Sequence, residues 1–243
     1  VIAHIFGNPA NVFKLKKKCK KMNIKIVEDA AESLGSYYLK NNKKIHTGSV
    51  GDYGCISFNG NKVITSGGGG IILVNKRKIE KKIRYLINQS KDDTLYYKHH
   101  NLGFNMSMTN LHGSIGLSQL KKLDEIIKAK KKINHYYKKH IQKISGLKIT
   151  DYPSKTKTNF WLNILEIDYK VYGKSKTELI KNFLDKKINV RSVWFPNHKQ
   201  KFLKKYQSYK INNANKMYNK SICLPSGPTL TILDLKKIVA ILK

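Results

Sequence analysis

The chain has 243 residues, with 48 Lys and Arg against 15 Asp and Glu, for a formal net charge of +33. That length can bury a sizeable core, and hydrophobic residues at 40%, spread along the whole chain, exclude an intrinsically disordered composition. The charge admits a basic nucleic-acid-binding protein, but the excess is nearly all lysine, recurs on every predicted helix and lacks clustered arginines with interleaved aromatics; a lysine-biased surface is expected, and no nucleic acid.

"VIAHIF" is a short apolar strand ending at Gly7, and Asn8-Pro9 opens a helix over about residues 10–22. The strand is already under way at Val1, where no Met stands, so an N-terminally truncated chain is expected. "IKIVEDAA" is a second strand, apolar until Glu28 and Asp29; "GDYGCISF" is a third and "GGIILVN" a fourth. Continuous apolar strands alternating with helical stretches predict an α/β fold with a mostly parallel sheet. "KRKIEKKIRYLINQS" has helical periodicity, and a long helix is predicted from about 110 to 144, with Ile115, Leu117, Leu120, Leu123, Ile126 and Ile127 at helical spacing and Gly146 at its end. The rhythm then changes: "TNFWLNILEIDY" is a strand, "SKTELIKNFLDKK" a helix opened by a Ser cap, "INVRSVWF" another strand, followed by short helices and a terminal helix from about Thr231. The expected partition is a large domain over 1–145, including the long connecting helix, and a small α+β domain over 146–243.

No run is long and apolar enough for a membrane helix, and no signal peptide is visible. Cys19, Cys55 and Cys223 show neither metal-ligand nor redox spacing. A cytoplasmic protein with no metal and no membrane partner is expected.

Three places carry candidate chemistry. Asp29 stands at the carboxyl end of a strand, where open α/β sheets bind ligands; followed by Ala30 and Ala31, it can face a cationic ring nitrogen, and it can equally be a helix N-cap. Lys62 lies between "SFNGN" and four glycines, Gly67 to Gly70, which permit close backbone approach and positive φ. A lysine whose pKa is depressed becomes a nucleophile toward carbonyls, and Ser57 and Asn59 offer hydroxyl and amide groups for a phosphate. The glycine run fits neither a P-loop nor a dinucleotide fingerprint. Asn105 lies in a loop ahead of the long helix, where a turn or capping role is also open.

In the order "VEDAAES…GDYGCISFNGNKVITSGGGGIILVN…LGFNMSMTNLHGSIGLSQL…VWFPNHKQ…LPSGPTLT" the chain resembles, over nearly its whole length, the DegT/StrS family of sugar aminotransferases, fold-type I enzymes that use pyridoxal 5'-phosphate. The resemblance implies that Lys62 bonds the cofactor, Asp29 pairs with its ring nitrogen, Ala31 packs on the ring, Glu32 lies near the 3-hydroxyl and Ser57 binds the phosphate. Asn105 would reach the phosphate of a neighbouring subunit's cofactor, in a homodimer with a shared site. The implied reaction moves an amino group from a donor such as glutamate to a nucleotide-linked keto-deoxy sugar, and the "SFNGNK…GGGG" variant is most like the branch acting on UDP-linked 4-keto-6-deoxy-N-acetyl sugars. His198 matches a segment that approaches the sugar nucleotide. Family members that dehydrate sugars carry histidine where Lys62 stands. Met106 and Ser107 replace the usual tyrosine and arginine after Asn105, and the N-terminal stretch with its phosphate loop and stacking aromatic is absent from this sequence, which leaves an inactive truncated aminotransferase fragment as the remaining reading.

Overall fold

The computed structural model describes all residues, Val1 to Lys243. In chain order the elements are β1 (Ile2–Ala3), α1 (Val12–Lys21), β2 (Val27–Asp29), β3 (Tyr37–Lys40), β4 (Lys43–His46), β5 (Tyr53–Ser57), β6 (Gly70–Val74), α2 (Arg77–Ile87), α3 (Asn110–Lys121) and α4 (Leu123–Ile141). They continue with β7 (Leu147–Ile149), β8 (Thr156–Lys157), β9 (Asn163–Ile167), α5 (Tyr169–Tyr172), α6 (Lys176–Asp185), β10 (Arg191–Ser192), α7 (Asn212–Lys220), β11 (Ser221–Leu224) and α8 (Ile232–Ile241). No helix is long and apolar enough to cross a membrane.

The chain forms two compact units, Val1–Glu125 with Pro153–Asn159, and Ile126–Tyr152 with Phe160–Lys243. This division differs from the boundary expected at 145/146, for two reasons. α4 contributes Ile133, Tyr137 and Ile141 to the core of the second unit, while β8 pairs with β3 of the first. The single helix expected over 110–144 is two, α3 and α4, separated at Lys122.

In the first unit one sheet runs β1-β2-β5-β6. β1, β2 and β5 are parallel, and β6 is antiparallel to β5. A parallel neighbour needs a helical crossover; residues 58–69 contain none, so the chain turns back on itself. The strand expected over "VIAHIF" is reduced to Ile2–Ala3, because the chain bends at Ile5–Gly7, where Phe6 takes φ 58. A second sheet, β4-β3-β8, was not apparent from the sequence. Its hairpin turns at Asn41 and Asn42, both at positive φ (49 and 58), the conformation that asparagine tolerates in tight turns.

A buried carboxylate joins these pieces. Glu28 is 0% exposed. It accepts hydrogen bonds from the amides of Gly48 (3.0 Å), Val50 (2.7 Å) and Gly51, and from His4 Nε2 (2.9 Å). His4 Nδ1 accepts the Ala10 amide at 3.0 Å, so the ring proton sits on Nε2 and points at Glu28. Burial pushes the Glu28 carboxyl up, but the His4 bond and the Gly51 and Gly48 amides outweigh it and hold the group below its ordinary value.

The second unit is an antiparallel sheet, β10-β11-β9-β7, whose core also takes side chains from α4, α6 and α8. Capping boxes start two of these helices: Ser175 with Glu178 on α6, and Thr231 with Asp234 on α8. Lys130 of α4 is buried and donates from Nζ to the carbonyls of Trp161 (3.1 Å) and Ser226 (2.5 Å). Without a carboxylate to offset burial, its pKa falls to about 8.

Candidate active site

Asp29 ends β2 and pairs with Cys55 on β5. Because the two strands are parallel, Asp29 and the segment after Ser57 leave the same edge of the sheet, the carboxyl edge where open α/β sheets place their ligands. The Asp29 side chain is exposed, and its Oδ1 accepts the Ala31 amide at 3.1 Å. That bond fixes the carboxylate's direction and leaves Oδ2 for a ligand. Ala30 is fully buried and its amide bonds the Cys55 carbonyl at 2.8 Å, so Ala31 is the alanine at the half-open surface. Burial, and then the Asp29 charge, push the Cys55 thiol up, which keeps it protonated and inert. Glu32 is partly engaged by the fold: its Oε2 accepts the Phe6 amide at 2.6 Å, and its carbonyl accepts Asn159 Nδ2 at 2.9 Å.

The Lys62 loop is tied at every corner. The Phe58 amide bonds the Gly69 carbonyl (3.0 Å), while the Phe58 carbonyl accepts the Ser66 amide (3.0 Å) and the Thr65 hydroxyl (3.0 Å). The Lys62 amide bonds the Asn59 carbonyl at 3.0 Å. Val63 and Ile64, 7% and 1% exposed, anchor the loop in the interior directly after Lys62, so the lysine side chain starts from a fixed base and is half-buried. Ser57 Oγ accepts the Asn59 amide at 3.3 Å, and Asn59 Oδ1 accepts the Gly60 amide at 2.9 Å. The Ser57 hydroxyl hydrogen and the Asn59 Nδ2 group remain as donors for an anion. Gly67 and Gly69 both take positive φ, 84 and 79, which accounts for glycine at those two positions.

Asn105 sits in an exposed segment paired with Asn88 at the end of α2. His198 belongs to the second unit, on the turn Asn197–Lys199 after buried Pro196. Asp29, Ala31, Ser57, Asn59 and Lys62 thus stand on one sheet edge and its following loop, while Asn105 stands beside Asn88 and His198 belongs to the second unit. Sequence reasoning misses the Glu28–His4 frame, the face of α3 that carries His112 and Gly116, and Met108 just ahead of that helix. The four-residue spacing of His112 and Gly116 is the one signal available from sequence.

Residues 1–243 match the DegT/DnrJ/EryC1/StrS aminotransferase family. A putative pyridoxal phosphate-dependent aminotransferase, EpsN of Bacillus subtilis, is 28% identical over 100% of this chain and 62% of its own length. A GDP-perosamine synthase of Escherichia coli is 31% identical over 94% of this chain and 60% of its own. A UDP-4-amino-4,6-dideoxy-N-acetyl-beta-L-altrosamine transaminase of Campylobacter jejuni is 27% identical over 95% and 61%. The chain thus spans about three fifths of the length of these curated relatives. Among solved structures, DesI in the presence of its TDP-sugar product superimposes with TM-score 0.89 at 21% identity, covering 99% of this chain and 60% of that one. The aminotransferase TlmJ from Streptoalloteichus hindustanus gives TM-score 0.89 at 18% identity, with 99% and 63% covered. At those identities the match is one of fold.

Proposed function

The chain belongs to the DegT/DnrJ/EryC1/StrS aminotransferase family, and from that premise we propose that it carries the lysine-bearing part of a pyridoxal phosphate-dependent sugar aminotransferase. The observation that supports this most strongly is that an oriented, exposed carboxylate and a rigidly based lysine loop leave one edge of paired parallel strands. The donor set fits the cofactor: an acid for a ring nitrogen, a lysine for an aldehyde, hydroxyl and amide donors for a phosphate.

When bound, pyridoxal phosphate supplies an electron-accepting ring that draws off the charge released at the amino donor's α-carbon. The protein's own residues do the remainder. Asp29, with Oδ1 fixed by Ala31, would face the ring nitrogen and keep it protonated; a carboxylate within about 4–6 Å favours a cation's charged form. Lys62 would hold the cofactor through Nζ and, once released from it, would move a proton at that atom as base and then acid. Ser57 and Asn59 would donate to the phosphate, Ala31 would pack on the ring, and Glu32 would lie beside its hydroxyl. In net terms glutamate becomes 2-oxoglutarate while a nucleotide-linked keto-deoxy sugar becomes an amino sugar. We take that substrate to be of the UDP-4-keto-6-deoxy-N-acetylhexosamine type, held partly by His198. The enzyme would act in the cytoplasm as a homodimer, Asn105 reaching the second subunit's cofactor.

The full-length protein, supplied with pyridoxal phosphate, glutamate and either UDP- or GDP-linked keto-deoxy sugars, should yield an amino sugar and stoichiometric 2-oxoglutarate, with a preference for UDP. Lys62→Ala should yield neither. Turnover that survives in Lys62→Ala, or none in the wild type with any keto sugar, contradicts the proposal.

A further inference from the structure

One face of α3 lies on the glycine run that follows Lys62. At Gly69 a Cβ would come 2.7 Å from Met108 Cε; at Gly67 it would lie 3.7 and 3.8 Å from Cδ2 and Nε2 of His112; and at Gly116 it would lie 3.4 Å from Ser66 Cβ. His112 and Gly116, four residues apart, share one face of α3, and Met108 stands just ahead of its Thr109 cap. The run beneath them is knotted to the lysine loop: Ser66 Oγ bonds the Gly68 carbonyl (2.5 Å), the Gly67 amide bonds Thr65 Oγ1 (2.9 Å), and both Thr65 and Ser66 bond the Phe58 carbonyl.

Among these three His112 is the polar member and the one whose ring is held. Its Nδ1 is hydrogen-bonded to Thr109 Oγ1 at 2.9 Å, and Thr109, the N-cap of α3, accepts the His112 amide at 3.4 Å. With Nδ1 fixed by the cap, the Cδ2–Nε2 edge is presented to Gly67. Pairing with residues 57–59 holds one side of the run, and its glycines carry no side chains to pack on the other, so α3 supplies a stop there. Helix-borne side chains with locked rotamers provide one more firmly than loop residues do.

We propose that His112 is a positioning residue for Lys62: braced by the Thr109 cap, its ring holds the Gly67–Gly70 run against α3 and thereby sets the approach of the lysine loop to the cofactor. This rests on the reading of Lys62 as the cofactor-bonding residue, but part of its test does not.

The full-length wild type, His112→Ala and His112→Gln are compared by two measurements. In amide hydrogen exchange without cofactor, His112→Ala should exchange about tenfold faster over residues 66–70, the scale of a lost local contact, with the midpoint of urea unfolding unchanged. In borohydride labelling of Lys62 across a pyridoxal phosphate titration, the half-saturating concentration should rise about tenfold in His112→Ala. His112→Gln, which restores a polar group of similar reach, should recover both. Unchanged exchange and half-saturation in His112→Ala overturn the proposal, as does a loss that Gln fails to recover. If wild-type Lys62 takes no label, the aminotransferase reading fails, and the exchange measurement alone then decides the role of His112.

Discussion

Around Glu28 in the first unit and around Lys130 in the second, the protein buries one charge each, and the two are met differently. Glu28 receives three backbone amides and an imidazole N–H, and its carboxyl is held below its ordinary value despite burial. Lys130 receives two carbonyls, and burial draws it down to about 8. The surroundings differ in the same sense. Sixteen buried apolar side chains make one cluster around the second sheet, against four in the cluster of the first unit. In the second unit burial alone shifts the lysine, whereas in the first directed hydrogen bonds outweigh the burial of the carboxylate. The candidate site stands on the first unit's frame, and Asp29, next in sequence to Glu28, stays exposed on it.

The contrast is broken most severely at Glu28. Glu28→Ala strands three buried amides and the His4 N–H, so urea unfolding should show a loss of about 3–5 kcal/mol. Its pH dependence has a fixed sign: with the folded value below 4.5, the carboxylate's contribution is present above that pH and lost as pH falls through the depressed value. The gap between wild type and Glu28→Ala should therefore narrow in acid.

Lys130 should behave oppositely. Between about 8 and its ordinary 10.5 the unfolded chain keeps a proton that the folded one has released, so stability rises with pH across that window. Lys130→Met should remove this rise; the stability difference accumulated across the window, followed by urea unfolding at successive pH values, should amount to roughly 3 kcal/mol at most. A smaller effect is expected at Gly69, where φ is 79 and a Cβ would meet Met108 Cε at 2.7 Å. Gly69→Ala should cost about 1–2 kcal/mol, read as a fall in Tm. Smallest of all is Asp29→Asn: at an exposed position stability should stay within about 0.5 kcal/mol, while on the proposed function transamination should be lost, because a cofactor's ring nitrogen would no longer face a carboxylate.

Local signals carried much of this fold into view. Ser175 and Thr231 announce their helices because a cap and its acid three residues on act within one turn. The antiparallel β6 and the β3–β4 hairpin were less visible: the first depends on the absence of a crossover, the second on two positive-φ asparagines between short lysine-rich strands. In the candidate site, Asp29 and Lys62 stand out in the sequence because a strand end and a glycine run mark them. The Glu28 frame was not, since His4 lies 24 residues and Gly51 23 residues away along the chain, and only folding brings their donors together. His112 escaped notice because its partner, Gly67, has no side chain to signal a contact.

The decisive measurement is borohydride reduction of the full-length protein with pyridoxal phosphate, followed by peptide mass mapping. Reduced cofactor should be found on the peptide containing Lys62 and be absent from Lys62→Ala. Label on a different lysine, or label that persists in Lys62→Ala, would contradict the assignment of that side chain as the cofactor's covalent anchor.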